Sequence, residues 1–305
     1  MALTRRSFIR NTCAATAGGL LTPVWARAQV TLGSLQIDTL SDGNLVLPGA
    51  MTIGQMPAEA AEIVARYGLP TDQFTPDCNV TLLRDGTNTV LFDVGAGPNF
   101  MPTAGKLLEA LETLGVAPDE ITHVLFTHAH PDHLWGVFDD FDEPLFMNAT
   151  HMIGQAEFDY WMDSNTADSI GAERQSFAAG ALRMLTMLAD DYGIETFADG
   201  AEVLPGIAAR MVDGHTPGHM AFHVQNGTEA VMITGDAIGN HHVGFERPDW
   251  KSGSDQDADR GAESRAMLLD QLAAEQMMMI GYHLPFPGVG RAEKIGDKSY
   301  RFVAA

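Results

Sequence analysis

The chain has 305 residues, with 18 basic against 40 acidic side chains and a formal charge of −22. That surplus of negative charge repels nucleic acid and anionic membranes and excludes both as partners. The length is enough to bury one large core, and no run beyond the first thirty residues is long or apolar enough for a membrane helix.

Residues 1–28 read as an address rather than as fold. Thr4-Arg5-Arg6-Ser7-Phe8-Ile9-Arg10 pairs two arginines with an apolar residue, and an Ala/Gly/Leu-rich segment runs from Cys13 to Leu21. Ala26-Arg27-Ala28 then supplies a small-x-small cleavage site. This is the pattern of a twin-arginine export signal, so a mature chain starting near Gln29 and a periplasmic destination are expected. Its apolar stretch is too short and glycine-rich to remain as an anchor. The leader holds four basic residues and no acidic one. The mature chain keeps fourteen basic against forty acidic residues, a formal charge of −26. Cys78 is then alone, cannot form an internal disulfide, and reads as a small buried hydrophobe.

In chain order, residues 35–40 and 41–48 read as strand, turn and strand about Asp42-Gly43. Pro57 to Tyr67 has helical spacing, stopped by Gly68 and Pro70. Val80 to Arg84 and Thr89 to Asp93 flank Asp85-Gly86 as a hairpin. Thr103 to Leu114 is an amphipathic helix with Gly115 at its end. Ile121 to Phe126 is a short buried strand. Gln155 to Met162 and Glu173 to Asp190 read as helices. Strands are expected over Ile207–Val212, Met220–Gln225 and Ala230–Thr234, a helix over Arg260–Gln276, and an apolar strand over Met277–Gly281. Two blocks of strands separated by helices, with no repeat and no long linker, point to one layered α/β domain over residues 29–305.

The strand ending at Phe126 delivers Thr127-His128-Ala129-His130-Pro131-Asp132-His133, four metal-ligand side chains within six residues. His128 and His130, two apart on extended backbone, can point to one side. Pro131 turns the chain, and Asp132 and His133 open a short helix. Three further ligand types sit at strand mouths, where a sheet fixes their position. These are His219 in Gly214-His215-Thr216-Pro217-Gly218-His219, Asp236 after Thr234-Gly235, and His283 after the strand from Met277. Five imidazoles and two carboxylates are the inventory for two adjacent cations.

His128-x-His130-x-Asp132-His133, then His219, Asp236 and His283 in that order, resembles the metallo-β-lactamase-fold hydrolases. Leu91-Phe92-Asp93-Val94-Gly95 resembles that family's first motif, which lies behind the ligands. Leu40-Ser41-Asp42-Gly43, the histidine cluster with its flanks, Gly214 to His219, His283-Leu284-Pro285-Phe286-Pro287-Gly288 and the terminal Tyr300-Arg301-Phe302-Val303 resemble the methyl parathion hydrolase branch, which includes lactonase-like relatives. The resemblance implies an αββα sandwich, two mixed sheets face to face with helices outside. It implies one cation on His128, His130 and His219, a second on Asp132, His133 and His283, and Asp236 bridging them. Asp132 and Asp236 become the catalytic carboxylates, and Asp132 a proton carrier for the leaving group. Zinc is the first choice of metal, with iron, manganese or cobalt as others.

His123, His151, His215, His223, His241 and His242 are left outside the ligand set, His215 being either an ordinary turn histidine or one that orients its neighbours. Phe100, Trp161 and Phe177 align with leaving-group positions of the branch, with core packing the alternative for each; Phe286, just after His283, is a further candidate for the border of the site. The resemblance further implies a small-molecule substrate, hydrolysis of an ester, lactone or phosphotriester, and a homodimer. Two other classes share the inventory: an iron-containing oxidoreductase of the same fold acting on oxygen or sulfur compounds, and a non-catalytic metal-binding protein. The complete second ligand set argues against relatives with a single iron and the full set against a non-catalytic protein, while metal analysis decides a di-iron oxidoreductase.

Overall fold

The structure is a computed structural model that describes residues 28–305. The expected export signal, apart from Ala28, lies outside the described residues. The first sheet runs β1 (Ala28–Leu32), β2 (Leu35–Asn44), β3 (Asp77–Arg84), β4 (Thr89–Phe92), β5 (His123–Phe126), β6 (Thr150–Gly154) and β7 (Glu195–Phe197), neighbours following chain order. Its pairs are antiparallel as far as β4 and parallel beyond. The second sheet runs β8 (Glu202–Leu204), β9 (Ile207–Met211), β10 (Met220–Asn226), β11 (Glu229–Ile233), β12 (Met278–Ile280), β13 (Val289–Lys294) and β14 (Tyr300–Ala304). Only β11–β12 is parallel there.

Successive strand side chains point to opposite faces, and here both faces are covered. Val90 and Phe92 of β4 and Leu125 of β5 meet Phe222, Val224, Val231 and Ile233 of the other sheet in a central core. Phe92 and Phe222 stand 5.2 Å apart between ring centres. Leu91, Val124 and Phe126 point the other way, against α2 (Leu107–Leu114) and α5 (Gln175–Met187). Met232 and Met279 pack outward on Leu268, Leu269 and Leu272 of α6 (Ala258–Glu275). The expected αββα sandwich is therefore present. Burial on both faces explains why β4, β5 and β11 read as unbroken apolar runs rather than as alternating ones.

Two expectations are corrected. Ser41-Asp42-Gly43 is a bulge within the continuous strand β2, not a turn between two strands. Asp42 is buried, and its carboxylate accepts from the amides of Ala96 (2.8 Å), Gly105 (3.1 Å) and Leu107 (2.8 Å). Three donors on one side draw the residue inward, where a solvent turn would leave it exposed. The same contacts start α2 at Leu107 rather than Thr103: Gly105 is left-handed (φ +74°), and the Lys106 amide bonds to the Asp42 carbonyl. Gly115, also left-handed, ends α2 as expected.

Strands β1, β6, β7, β8, β13 and β14 escaped the sequence reading because they are short or carry charges, and only pairing reveals them. The segment from α4 (Gln155–Met162) through α5 packs onto the core. Trp161, Ala178, Ala181 and Leu185 belong to the core cluster under β4 and β5, and Arg174 donates to the carbonyls of Gly253 and Ser254, both at 2.9 Å. No helix among the described residues is long and apolar enough to cross a membrane. Cys78 is fully buried, as expected.

His151 of β6 is 3 % exposed, and its Nε2 is buried without a hydrogen-bond partner. Burial pushes its imidazole down to about 4 from the usual 6.5. Below 6.5 the unfolded chain takes up a proton that the folded chain refuses. Its contribution is therefore intact above 6.5 and is lost as pH falls towards 4, on the order of 3 kcal/mol in all. His151→Leu is expected to remove that part of the acid destabilisation, read as the wild-type-minus-variant difference in urea midpoints between about pH 4 and pH 7. A difference that stays flat across that range would refute it.

Candidate metal centre

The ligand-type residues are brought to one rim by the loops and the helical turn at the ends of strands. His128 and His130 follow β5, Asp132 and His133 lie in the helical turn α3 (Pro131–Leu134), His219 precedes β10, Asp236 follows β11, and His283 follows β12. The sheets are tied at this rim by the Met220 amide, which donates to the Thr127 carbonyl at 2.9 Å. Asn79 donates to the carbonyls of Gly281 (3.1 Å) and Leu284 (2.7 Å), holding the loop that carries His283.

Two clusters of donor atoms result, each with all its atoms within 4.8 Å: His128, His130 and His215, and Asp132, His133, Asp236 and His283. In the second, His133 Nε2 lies 3.2 Å from Asp236 Oδ1 and 3.4 Å from Asp132 Oδ2. His283 Nε2 lies 3.1 Å from Asp236 Oδ2 and 3.2 Å from Asp132 Oδ2. Asp236 also reaches His215 Nε2 at 3.3 Å, so this carboxylate stands between the two clusters.

Partners behind the rings set which nitrogen faces inward. Asp93 accepts from the Thr127 amide (2.7 Å), the Thr127 hydroxyl (2.8 Å) and His133 Nδ1 (2.8 Å). A carboxylate only accepts, so His133 carries its proton on Nδ1 and turns Nε2 to the site. The Thr127 hydroxyl spends its proton on Asp93, so His128 Nδ1 donates to it at 3.0 Å and Nε2 is again left inward. His283 Nδ1 donates to the Asp77 carbonyl at 2.8 Å with the same outcome.

Burial alone would lower His133 and His283, but the carboxylates of Asp236 and Asp132 hold both well above the usual imidazole range. Against burial, His133 and His283 hold Asp236 and Asp132 well below the carboxylate range. His128 and His130 are driven well below theirs by burial first and then by neighbouring imidazoles. Asp132 Oδ2, His133 Nε2 and Asp236 Oδ1, though within ion-pair distance of one another or of His283, make no well-aligned hydrogen bond, and His219 Nδ1 is buried with no partner. Buried polar atoms left unsatisfied in one place, on imidazoles and carboxylates, fit divalent cations.

In the Gly214–His219 loop the expectation is corrected: His219 is in neither donor cluster, and His215 stands with His128 and His130 in its place. His215, left outside the ligand set, projects Nε2 to 2.9 Å from His130 Nδ1. Its other nitrogen faces Asp255 Oδ1 at 3.4 Å, and Asp255 is paired with buried Arg265 at 3.1 Å. A turn histidine is drawn in because a buried acid and base stand behind it, and neither is visible from the local motif. His219 packs 4.9 Å from the His128 ring, and its Nε2 accepts from the Asp236 amide at 2.9 Å. Burial pushes it down to about 3. Gly235 permits this approach, since a side chain there would meet His219 Nε2 at 2.6 Å.

A cavity of about 530 Å³ opens onto His130, Asp132, His215, Asp236 and His283. Its outer walls are largely apolar, including Leu47, Met51, Phe74 and Met101. Phe100 and Phe177, expected at a leaving-group wall, both line it and meet edge to face at 6.0 Å. Trp161 does not line it: 1 % exposed, it lies behind His130 and donates to Glu157. Pro285 lines the cavity in place of Phe286. His241 and His242, outside the ligand set, line the far wall, while His123, His151 and His223 lie away from it.

A sequence model of the metallo-β-lactamase superfamily matches residues 75–275. The chain belongs to this superfamily. The matched span contains six of the seven expected ligands, His283 lying just beyond it. Among solved structures of the metallo-β-lactamase fold, the chain is similar to the hydrolase AbOPH, with a TM-score of 0.83, 27 % identity and coverage of 92 % of this chain and 97 % of that one. It shares its fold with AidC, a dizinc quorum-quenching lactonase, at a TM-score of 0.85, 24 % identity and the same coverage. An uncharacterized protein of Mycobacterium tuberculosis is 26 % identical over 238 residues, 75 % of this chain and 92 % of that one. The N-acyl homoserine lactonase AttM of Azorhizobium caulinodans is 28 % identical over 117 residues, 38 % and 40 % of the two chains.

Proposed function

We propose that this protein is an exported, binuclear metal-dependent hydrolase that cleaves an ester, lactone or phosphotriester bond in a small, largely apolar molecule. The observation that carries the reading is the pair of adjoining buried donor clusters at the floor of an apolar cavity. Similarity to the hydrolase AbOPH supports hydrolysis, and similarity to the lactonase AttM supports a lactone among the candidate bonds.

His128, His130 and His215 would hold one cation, with the expected ligand His219 beside them and its Nε2 taken by the Asp236 amide. Asp132, His133 and His283 would hold the other, and Asp236 both. A pair of divalent cations supplies Lewis acidity and a water acidified towards neutrality. The chain's own part is to turn the Nε2 atoms of His128, His133 and His283 inward, the rings being fixed from behind by Thr127, Asp93 and the Asp77 carbonyl. Asp132, which lines the cavity as Asp236 does, would carry a proton to the leaving group. Phe100 and Phe177 give that group an apolar wall and exclude water from it. Zinc is the proposed metal.

The test is metal content by mass spectrometry, then rates on aryl esters, lactones and phosphotriesters. Two zinc equivalents and turnover of one class are expected. Stoichiometric iron with oxygen consumption would replace the hydrolase by an oxidoreductase. Full turnover after metal removal would end the reading.

A further inference from the structure

Glu157, in the first turn of α4, is fully buried and far in sequence from every expected ligand. Its Oε1 accepts from the Ala129 amide (3.0 Å) and from Trp161 Nε1 (2.6 Å). Its Oε2 accepts from the Thr216 hydroxyl (2.6 Å) and the Gly218 amide (3.0 Å). Ala129 lies between His128 and His130; Thr216 and Gly218 lie between His215 and His219. One carboxylate therefore ties together the two loops that carry all four of these imidazoles. The fit is close, because a side chain at Gly218 would meet the Glu157 amide at 2.1 Å.

Four donors on one buried carboxylate exceed what anchoring a helix requires. Charge-assisted bonds are the strong ones, and an ion in a dry site needs all its partners. A shift of Ala129 carries His128 and His130 together, and a shift of Thr216 carries His215. The separation of the two loops decides whether their nitrogens converge at one cation's bonding distance, which tolerates only a few tenths of an ångström.

We propose that Glu157, seated by Trp161 and Thr216, is a positioning residue that sets the spacing of the His128/His130 and His215/His219 loops and hence the grip on one of the two cations. The inference rests on the reading that the two clusters hold cations. It makes Trp161 a support of the metal site rather than part of the substrate wall.

The test uses the full-length mature protein and cobalt(II) as probe, with affinity measured by chelator competition and by the visible absorption of bound cobalt. Trp161→Phe and Thr216→Val each remove one donor and keep the shape. Glu157→Gln opposes its amide to two of the four donors. The two milder variants are expected to bind one cobalt ion about 10-fold more weakly, and Glu157→Gln about 100-fold, the range for partners behind a ligand. The second ion keeps wild-type affinity, and KM for substrate is unchanged in Trp161→Phe. If Glu157→Gln does not fold, the other two decide. Wild-type affinity for both ions in Trp161→Phe and Thr216→Val overturns the proposal, as does a raised KM with unchanged cobalt binding. Wild type that binds two cobalt ions but hydrolyses none of the panel removes the proposed function and leaves this inference intact. Wild type that binds no cobalt ends both.

Discussion

Asp236→Ala is expected to abolish metal-dependent hydrolysis and to leave at most one tightly held cation. Asp236 touches His133 (3.2 Å), His283 (3.1 Å) and His215 (3.3 Å), so its loss strikes both donor clusters at once. Partners behind a ligand already cost 10- to 100-fold when removed, so a residue contacting both clusters should cost roughly 1,000-fold or more in kcat/KM. His128→Ala should do the same through the first cluster alone, retaining the second cation. Mass-spectrometric metal counts beside kcat/KM check both. An Asp236→Ala protein with two cations and activity within about 10-fold of wild type would sink the assignment of this residue.

Asp93→Ala is expected to cost both stability and metal affinity. Asp93 is 1 % exposed and satisfies the Thr127 amide, the Thr127 hydroxyl and His133 Nδ1. Removing it strands three buried donors, one of them on an imidazole held above its usual range, a loss of about 3–5 kcal/mol. His133 also loses the bond that fixes its tautomer, so affinity for the cation it faces should fall 10- to 100-fold. Its backbone is left-handed (φ 65°), which alanine tolerates poorly and asparagine well. Asp93→Asn therefore separates the lost charge from the strained backbone, and should recover the backbone part of the stability alone. Denaturant melts of the metal-free proteins, with zinc competition, provide the check. Loss of less than about 1 kcal/mol in Asp93→Ala, below a single buried unsatisfied donor, would contradict the account.

Most of the fold was legible because burial leaves a mark on composition. Val90-Leu91-Phe92, Val124-Leu125-Phe126 and Val231-Met232-Ile233 are apolar on both faces, and the ligand-type residues lie just beyond such runs. Strands β13 and β14 were not legible, since Arg291, Glu293, Lys294 and Arg301 reach solvent and only ladder pairing makes strands of them. Asp42-Gly43 has turn chemistry, but the amides that capture Asp42 come from residues 54 to 65 positions away. The aromatic positions divided for the same reason. Phe100 and Phe177 face the cavity, while an indole N–H that must find an acceptor commits Trp161 to Glu157.

By itself, the sequence determined which atoms can serve as ligands and at which strand ends they stand, because ligand chemistry belongs to the side chain and position at a strand end follows from the apolar run before it. Tertiary structure alone decided their supporting partners. Glu157 acquires its role only where Ala129, Trp161, Thr216 and Gly218 meet, and His215 joins the cluster only because Asp255 and Arg265 are buried behind it. A local motif carries the identity of a donor, whereas the direction in which that donor points depends on hydrogen bonds closed by residues distant in the chain.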